Sequence, residues 1–318
     1  MPIIRFVVLC CSLSLAGFSA AEDYPTRTIR LVVPFPPGSN VNLVARMIAQ
    51  KLDASFGWHF VVDNKPGAVG TIANNFVAKS APDGYVVGIM AAGSITATPH
   101  IMKVPYDLDD LTPVLRVASY ESVFVVHPSV PAKTIKELVA IAKKQPATVT
   151  FGSSGAGNTL HLAYEQLGSM AGVKMLHVPY KGNPPILVDL IAGRIDSTVN
   201  SIAVLKPYID QGKVRPLAVT GREKNPLLPG IPTVGESYPG YHADTWMGFF
   251  VPKGTPHAIV LRLNSKVTEV LQEPDMKAAW EKSVYKFTPN SQKEFSQFVK
   301  EEYMRYGALI KKLGLKPE

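Results

Sequence analysis

Residues 29–42 read Ile29-Arg30-Leu31-Val32-Val33-Pro34-Phe35-Pro36-Pro37-Gly38-Ser39-Asn40-Val41-Asn42. A β-rich apolar run stops at a Pro/Gly turn, and Leu43, Val44, Met47, Ile48 and Leu52 then recur at helical spacing. This predicts strand, turn, helix. The same grammar recurs downstream. Phe60–Val62 reads as a strand, Pro66-Gly67-Ala68-Val69-Gly70 as a turn, Ile72–Ala78 as a helix and Tyr85–Met90 as a strand. Strands alternating with helices imply βαβ crossovers and a largely parallel sheet.

A second series begins at Val123–Val126. It runs through a helix at Ile135–Lys144, a strand at Val149–Phe151, a turn at Gly152–Gly157 and a helix at Leu160–Ala171. Met175–Val178, Pro185–Ala192, Ile195–Val199 and Arg215–Val219 continue the alternation. Phe249–Val251 is a further strand, and the apolar stripes of Val260–Leu271 and Phe295–Leu313 need a sheet to cover. The terminal helices are expected to return to the first unit. The resulting lobes are 22–122 plus 246–318, and 123–245.

The 318 residues carry 46% hydrophobic and 18% charged content, the composition of a chain that folds. Lys and Arg exceed Asp and Glu by 33 to 25, for a net charge of +8, yet the cations are scattered and form no run of five. Nucleic-acid binding is therefore not expected. Residues 1–21 read as a cleaved export signal: Arg5 gives a positive start, Phe6–Phe18 an apolar stretch and Ser19-Ala20-Ala21 a small-residue cleavage site. That apolar stretch is shorter than the ~20 residues of a spanning helix. Both cysteines, Cys10 and Cys11, fall inside this segment, and the residue before Cys10 is Leu9, which is poor context for lipidation. The exported protein is thus expected to lack thiol chemistry and to reside in the periplasm.

Two turns stand out as candidate anion sites. Gly38-Ser39-Asn40-Val41-Asn42 lies between a strand and a helix, where exposed amides and the helix dipole hold a carboxylate or phosphate without a cation. The alternative is that Ser39 or Asn40 simply caps the helix. Gly152-Ser153-Ser154-Gly155-Ala156-Gly157-Asn158-Thr159 has nearly the spacing of a phosphate loop, but Asn158 stands where that loop requires Lys. Nucleotide hydrolysis is disfavoured. A nest of backbone N–H groups or a merely tight turn remains. Ligands of open α/β sheets gather beyond the carboxyl ends of the strands, so one such turn per lobe describes a clamp for a small anion.

Other residues attract and then fail tests of spacing. His161 could serve as a base, but no nucleophile or carboxylate partner is evident from the sequence, and helix packing explains it. His59, His100, His127, His177, His242 and His257 show no paired metal-ligand spacing. Ser154 begins no GxSxG elbow. Lys181 suits a surface loop or an ion pair between lobes as well as an anion contact. Trp246, Phe249 and Phe250 suit strand-core packing as well as an aromatic wall.

Several further segments carry a family resemblance: Tyr24-Pro25, Asp63-Asn64-Lys65-Pro66-Gly67-Ala68 with Gly70, and Ala81-Pro82-Asp83-Gly84-Tyr85. They are followed by His161-Leu162, His177-Val178-Pro179-Tyr180-Lys181-Gly182 and Asp189-Leu190 with Gly193 and Asp196. Leu217-Ala218-Val219-Thr220 and Ile231-Pro232-Thr233-Val234 complete them. With the opening Ile29–Gly38 segment, the chain resembles the Bug-type solute-binding proteins of tripartite tricarboxylate transporters along essentially all of its exported length.

The resemblance implies an α/β, two-lobed periplasmic binding protein (a Venus flytrap), each lobe a mainly parallel sheet flanked by helices. It implies a monomer that captures a small carboxylate, docks transiently on membrane permease subunits, uses no cofactor or metal and catalyses nothing. An exported hydrolase, and a sensor docking on a receptor, are the competing readings. By position, the resemblance points to Gly38, Ser39 and Asn40 in the first lobe and to Ser153, Ser154, Gly157, Asn158 and Thr159 in the second. Phe35, Ser94, Thr96 and Asn200 join from neighbouring segments. The chain departs from the family pattern where Gly38 is followed by Ser39 rather than by Gly, and where Asn42 and Asn200 replace common acids. Losing those charges is expected to favour a ligand with two carboxylates, aromatic ones included, over an amino acid.

Overall fold

The computed structural model describes residues 24–314 except 242, 244 and 284. The segment read as an export signal lies outside the described residues. Two sheets organise the chain, and both are mixed rather than mainly parallel.

The first sheet contains β1 (Ile29–Val33), β2 (Phe60–Asn64), β3 (Val86–Ala91), β4 (Leu111–Tyr120), β10 (Thr245–Pro252) and β11 (Tyr285–Lys286), in the order β11-β4-β10-β3-β1-β2. β1 pairs in parallel with β2 and β3, whereas β10 is antiparallel to both β3 and β4. The second sheet contains β5 (Ser122–Val126), β6 (Thr150–Ser153), β7 (Leu176–Pro179), β8 (Ser197–Ser201) and β9 (Arg215–Val219), in the order β7-β6-β8-β5-β9. Its β6, β7 and β8 are parallel, and β5 runs against β8 and β9. The chain therefore passes between sheets twice, at Tyr120–Ser122 and between Val219 and Thr245. Strands that arrive through these crossings enter each sheet reversed, which is why sequence alternation alone overstates the parallel pairing.

The helices are α1 (Asn40–Phe56), α2 (Thr71–Ala78), α3 (Ile135–Lys144), α4 (Thr159–Ala171), α5 (Asn183–Ile191), α6 (Ile202–Asp210), α7 (His257–Leu271), α8 (Pro274–Ser283) and α9 (Gln292–Leu313). In α1, Val41, Val44, Ala45, Ile48 and Leu52 form one buried stripe against Ile29, Leu31 and Val33 of β1. Burying each larger aliphatic chain of that stripe contributes about 1.5–3 kcal/mol. Val260, Leu263 and Val267 of α7 join the first core on the α1 side, and Phe295 and Val299 of α9 pack with Trp246 and Phe250 on the other. A separate core under the second sheet gathers Phe124, Leu138, Phe151, Tyr164 and Leu167. Trp246, Phe249 and Phe250 are thus core residues.

The lobes touch. Ala97 of the first lobe, Leu162 of α4, and Tyr306 and Ile310 of α9 form one buried apolar cluster. At the crossing, the buried Glu121 carboxylate accepts from Lys286 Nζ at 2.6 Å and from Asn225 Nδ2 at 3.0 Å. A cavity of about 350 Å³ beside this crossing is walled by Arg116, Glu121, Arg222, Lys286 and Glu302 among others. The candidate turns do not line it.

Candidate functional site

α1 and α4 each start at the carboxyl end of a parallel strand, β1 and β6 respectively. Ser39 caps α1: its Oγ accepts from the Asn42 N–H at 3.3 Å, and its carbonyl accepts from the Leu43 N–H at 2.9 Å. Asn158 caps α4 in the same way: its Oδ1 accepts from the His161 N–H at 2.8 Å, and its carbonyl accepts from the Leu162 N–H at 3.0 Å. Capping serves the third and fourth donors only. Among the described residues, nothing accepts from the amides of Asn40 and Val41, or from those of Thr159 and Leu160. Capping and anion binding are therefore compatible at both starts, because they use different amides.

The α4 start packs directly against the first lobe. A Cβ placed on Gly93 would sit 3.2 Å from the Thr159 amide nitrogen and 3.6 Å from Asn158 Cα. One placed on Gly157 would sit 2.7 Å from Ile101 Cδ1. Gly155 and Gly157 also need glycine for their backbone, with φ of 120° and 78°. Asn40 lies beside Tyr120 at the end of β4, where burial pushes the Tyr120 phenol up to about 12 against the pull of the Asn40 and Thr245 side chains. This joins the α1 start to the crossing.

The expected site residues divide into two groups. Gly38, Ser39, Asn40, Ser154, Gly157, Asn158 and Thr159 form the two turns, with Asn158 Nδ2 donating to Ser154 Oγ at 2.8 Å. Asn200 ends β8 on the same edge as the α4 turn; its Oδ1 accepts from the Ser201 N–H at 2.8 Å, while its Nδ2 is buried without a partner among the described residues. The other side chains serve their own segments. Phe35 packs on the first core, while its carbonyl accepts from Asn64 Nδ2 at 2.7 Å. Ser94 Oγ donates to the Ala91 carbonyl at 2.9 Å and Thr96 Oγ1 to that of Ala92 at 2.7 Å, which shapes the π-helical segment Gly93–Ala97. Ser153 is 0% exposed, and its Oγ donates to the Gly155 carbonyl at 3.0 Å. That burial also denies Ser153 the access a nucleophile needs, although His177 Nε2 stands 2.6 Å away. Asn42 is held inside the first lobe, accepting from the Gly38 N–H and Arg46 Nε and donating to Asn64 Oδ1. An acid at position 42 would meet Arg46.

Sequence reading missed the residues of the crossing. Ser122 and Ser201 face each other in the β5–β8 register, and the hydroxyls of both are buried without partners among the described residues. Asn200, the neighbour of Ser201 along the strand, points to the opposite face, where Asn183 Nδ2 stands 3.5 Å from its Oδ1. Polar residues at the ends of two apolar strands, Ser122 before Val123–Val126 and Asn200-Ser201 after Val199, were the available signal.

Burial, with the nearby His161 adding to it, pushes the His177 imidazole down to about 4. An unfolded imidazole titrates near ~6.5. The fold therefore favours neutral His177: its contribution is fully present above the unfolded value and is lost as pH falls from there toward about 4. Stability is expected to decline over that window by at most about 1.4 kcal/mol per pH unit from this group. His177→Gln should flatten the decline in Tm between neutral and mildly acidic pH; an unchanged slope would remove His177 as its source.

Comparison with known proteins follows this geometry. A family model described as "Tripartite tricarboxylate transporter family receptor" matches residues 44–315. Protein BugT of Bordetella pertussis is 30% identical over 311 residues, spanning 96% of this chain and 95% of that protein. The structure of R. palustris Rpa4515 with adipate superposes with a TM-score of 0.87 at 34% identity, covering 93% of this chain and 100% of that one. MatC from Rhodopseudomonas palustris with bound malate gives a TM-score of 0.82 at 28% identity, covering 90% and 100%.

Proposed function

The chain belongs to the tripartite tricarboxylate transporter receptor family, and on that premise we propose that it is a periplasmic solute receptor that closes on a small dicarboxylate and presents it to a membrane permease. The observation that carries the ligand class is the pair of capped helix starts, one in each lobe, each with two amides free to donate to an anion's oxygens. Such amides bind a carboxylate without a buried cation, and closure strengthens each bond by excluding water. One acid group sits between the α1 and α4 starts. The second is received by Asn200, whose buried Nδ2 is free to donate. This amide is neutral, so it suits a carboxylate and offers an ammonium group no counter-charge. Adipate and malate, bound to Rpa4515 and MatC, are both dicarboxylates and support this class. The receptor reading assigns no catalytic residue, and it places the 1–21 leader as the export signal.

Calorimetry against aliphatic, hydroxylated and aromatic dicarboxylates, with the matching amino acids alongside, tests the proposal. Dicarboxylates are expected to bind at least tenfold more tightly than amino acids, a difference of about 1.4 kcal/mol or more. Asn200→Asp should narrow or reverse that ratio by setting a negative charge at the second acid's position. A wild-type preference for amino acids would reject the ligand class, and silence across the whole panel would reject carboxylate capture.

A further inference from the structure

Beneath the α4 turn lie two histidines that the binding reading does not use. His161, in the first turn of α4, is 7% exposed. His177, on β7, stacks on it with ring centroids 4.1 Å apart and planes 29° apart, and Phe151 of β6 lies against both rings. Each imidazole is joined to the turn. The Gly157 N–H donates to His161 Nδ1 at 3.0 Å. Ser153 Oγ lies 2.6 Å from His177 Nε2 and 3.0 Å from the Gly155 carbonyl.

The protons in this network can be assigned. A nitrogen that accepts from an amide must hold a lone pair, so His161 is neutral with its proton on Nε2, which faces Glu165 Oε1 at 3.6 Å. The Gly155 carbonyl can only accept, so the single Ser153 hydroxyl proton goes to it, and His177 Nε2–H donates to Ser153 Oγ. The order is His177 to Ser153 to Gly155, and Gly157 to His161.

We propose that this stacked pair is the positioning device of the carboxylate-binding turn: His161 Nδ1 holds the Gly157 N–H, and losing that acceptor loosens the turn and weakens capture of the ligand. The inference rests on the reading that the α4 turn holds an acid group. The turn depends on such tethers because Gly155 and Gly157 give it a backbone with few conformational limits. The stack fixes the ring that makes the tether: His177 of β7 and Phe151 of β6 lie against His161, and Glu165 Oε1 stands 3.6 Å from its Nε2. Burial drives His177 down to about 4, which keeps it a neutral donor to Ser153 at neutral pH.

The test uses the full exported chain with adipate as probe. His161→Asn keeps an acceptor near the Nδ1 position; His161→Phe keeps the stack and removes the acceptor. Gly157 amide exchange is expected to be fast in His161→Phe and close to wild type in His161→Asn, and adipate to bind about tenfold more weakly to His161→Phe than to His161→Asn, the scale of one lost hydrogen bond. Protected Gly157 in a folded His161→Phe would overturn the proposal, as would equal adipate affinities in the two variants. Adipate affinity indifferent to Asn158→Asp, with Gly157 still following His161, would instead show that the acid group is bound elsewhere.

Discussion

Asn158→Asp is expected to weaken carboxylate binding by about two orders of magnitude while leaving the protein as stable as before. The two isosteric side chains differ in charge and in the Nδ2 donor to Ser154 Oγ, whose hydroxyl can turn to donate to the carboxylate instead. Aspartate caps a helix as well as asparagine does, so its Oδ1 keeps the bond from the His161 N–H. A negative charge in the first turn even favours the helix dipole. That charge, however, occupies the field prepared for the ligand. Two unit charges ~5 Å apart at an effective dielectric constant of ~20 repel by about 3 kcal/mol, which is roughly a hundredfold in affinity. Calorimetry with adipate, alongside an unliganded melting curve, reads both halves of the prediction. His161→Gln, which adds no charge, should lose less. Retained affinity in Asn158→Asp would remove the α4 start from the site, and a collapsed Tm would mean that the substitution acts on the fold instead.

Gly93→Val is expected to hold the lobes apart. This glycine is required for room and not for its backbone angle, since it does not share the positive φ of Gly155 and Gly157. Its missing side chain is filled by the other lobe: Thr159 N would lie 3.2 Å and Thr159 Cγ2 3.3 Å from an added Cβ. Alanine there asks the neighbour to yield by a few tenths of an ångström, whereas the two further methyls of valine occupy space that Thr159 holds. In the closing receptor proposed above, the clash belongs to the shut form and raises its free energy relative to an open one. A ligand must then supply that difference from its own binding energy. Affinity should fall at least tenfold. Small-angle scattering should also show less ligand-induced contraction. Wild-type affinity in Gly93→Val would mean that the Gly93–Thr159 contact is not part of the bound state.

Both variants act at a place the sequence half revealed. The α1 and α4 starts were legible because helix initiation is a local event: a strand must end, a Pro or Gly must turn the chain, and a capping Ser or Asn must precede an apolar stripe. The helix expected at Ile135–Lys144 is found at those residues, and the one expected from Leu160 begins a single residue earlier. β4 was missed because Pro113 interrupts its apolar pattern; it is tolerated there by a register shift of the antiparallel β10 between Phe249 and Phe250. The short α6 was missed for a similar reason, since Pro207 sits inside it.

The amino-acid order by itself determined most of the strands and helices, where the two bare helix starts fall and that they carry no cation of their own, since each is encoded within about ten consecutive residues. Only the tertiary structure decided that Ser153, Ser94 and Thr96 turn their hydroxyls inward, that Gly93 makes room for the opposite lobe, that Ser122 and Ser201 meet across the β5–β8 register, and that His161 and His177 stack beneath the second turn. Each of those depends on contacts between residues far apart in the chain, whose geometry is set by sheet register and lobe contact rather than by local preference.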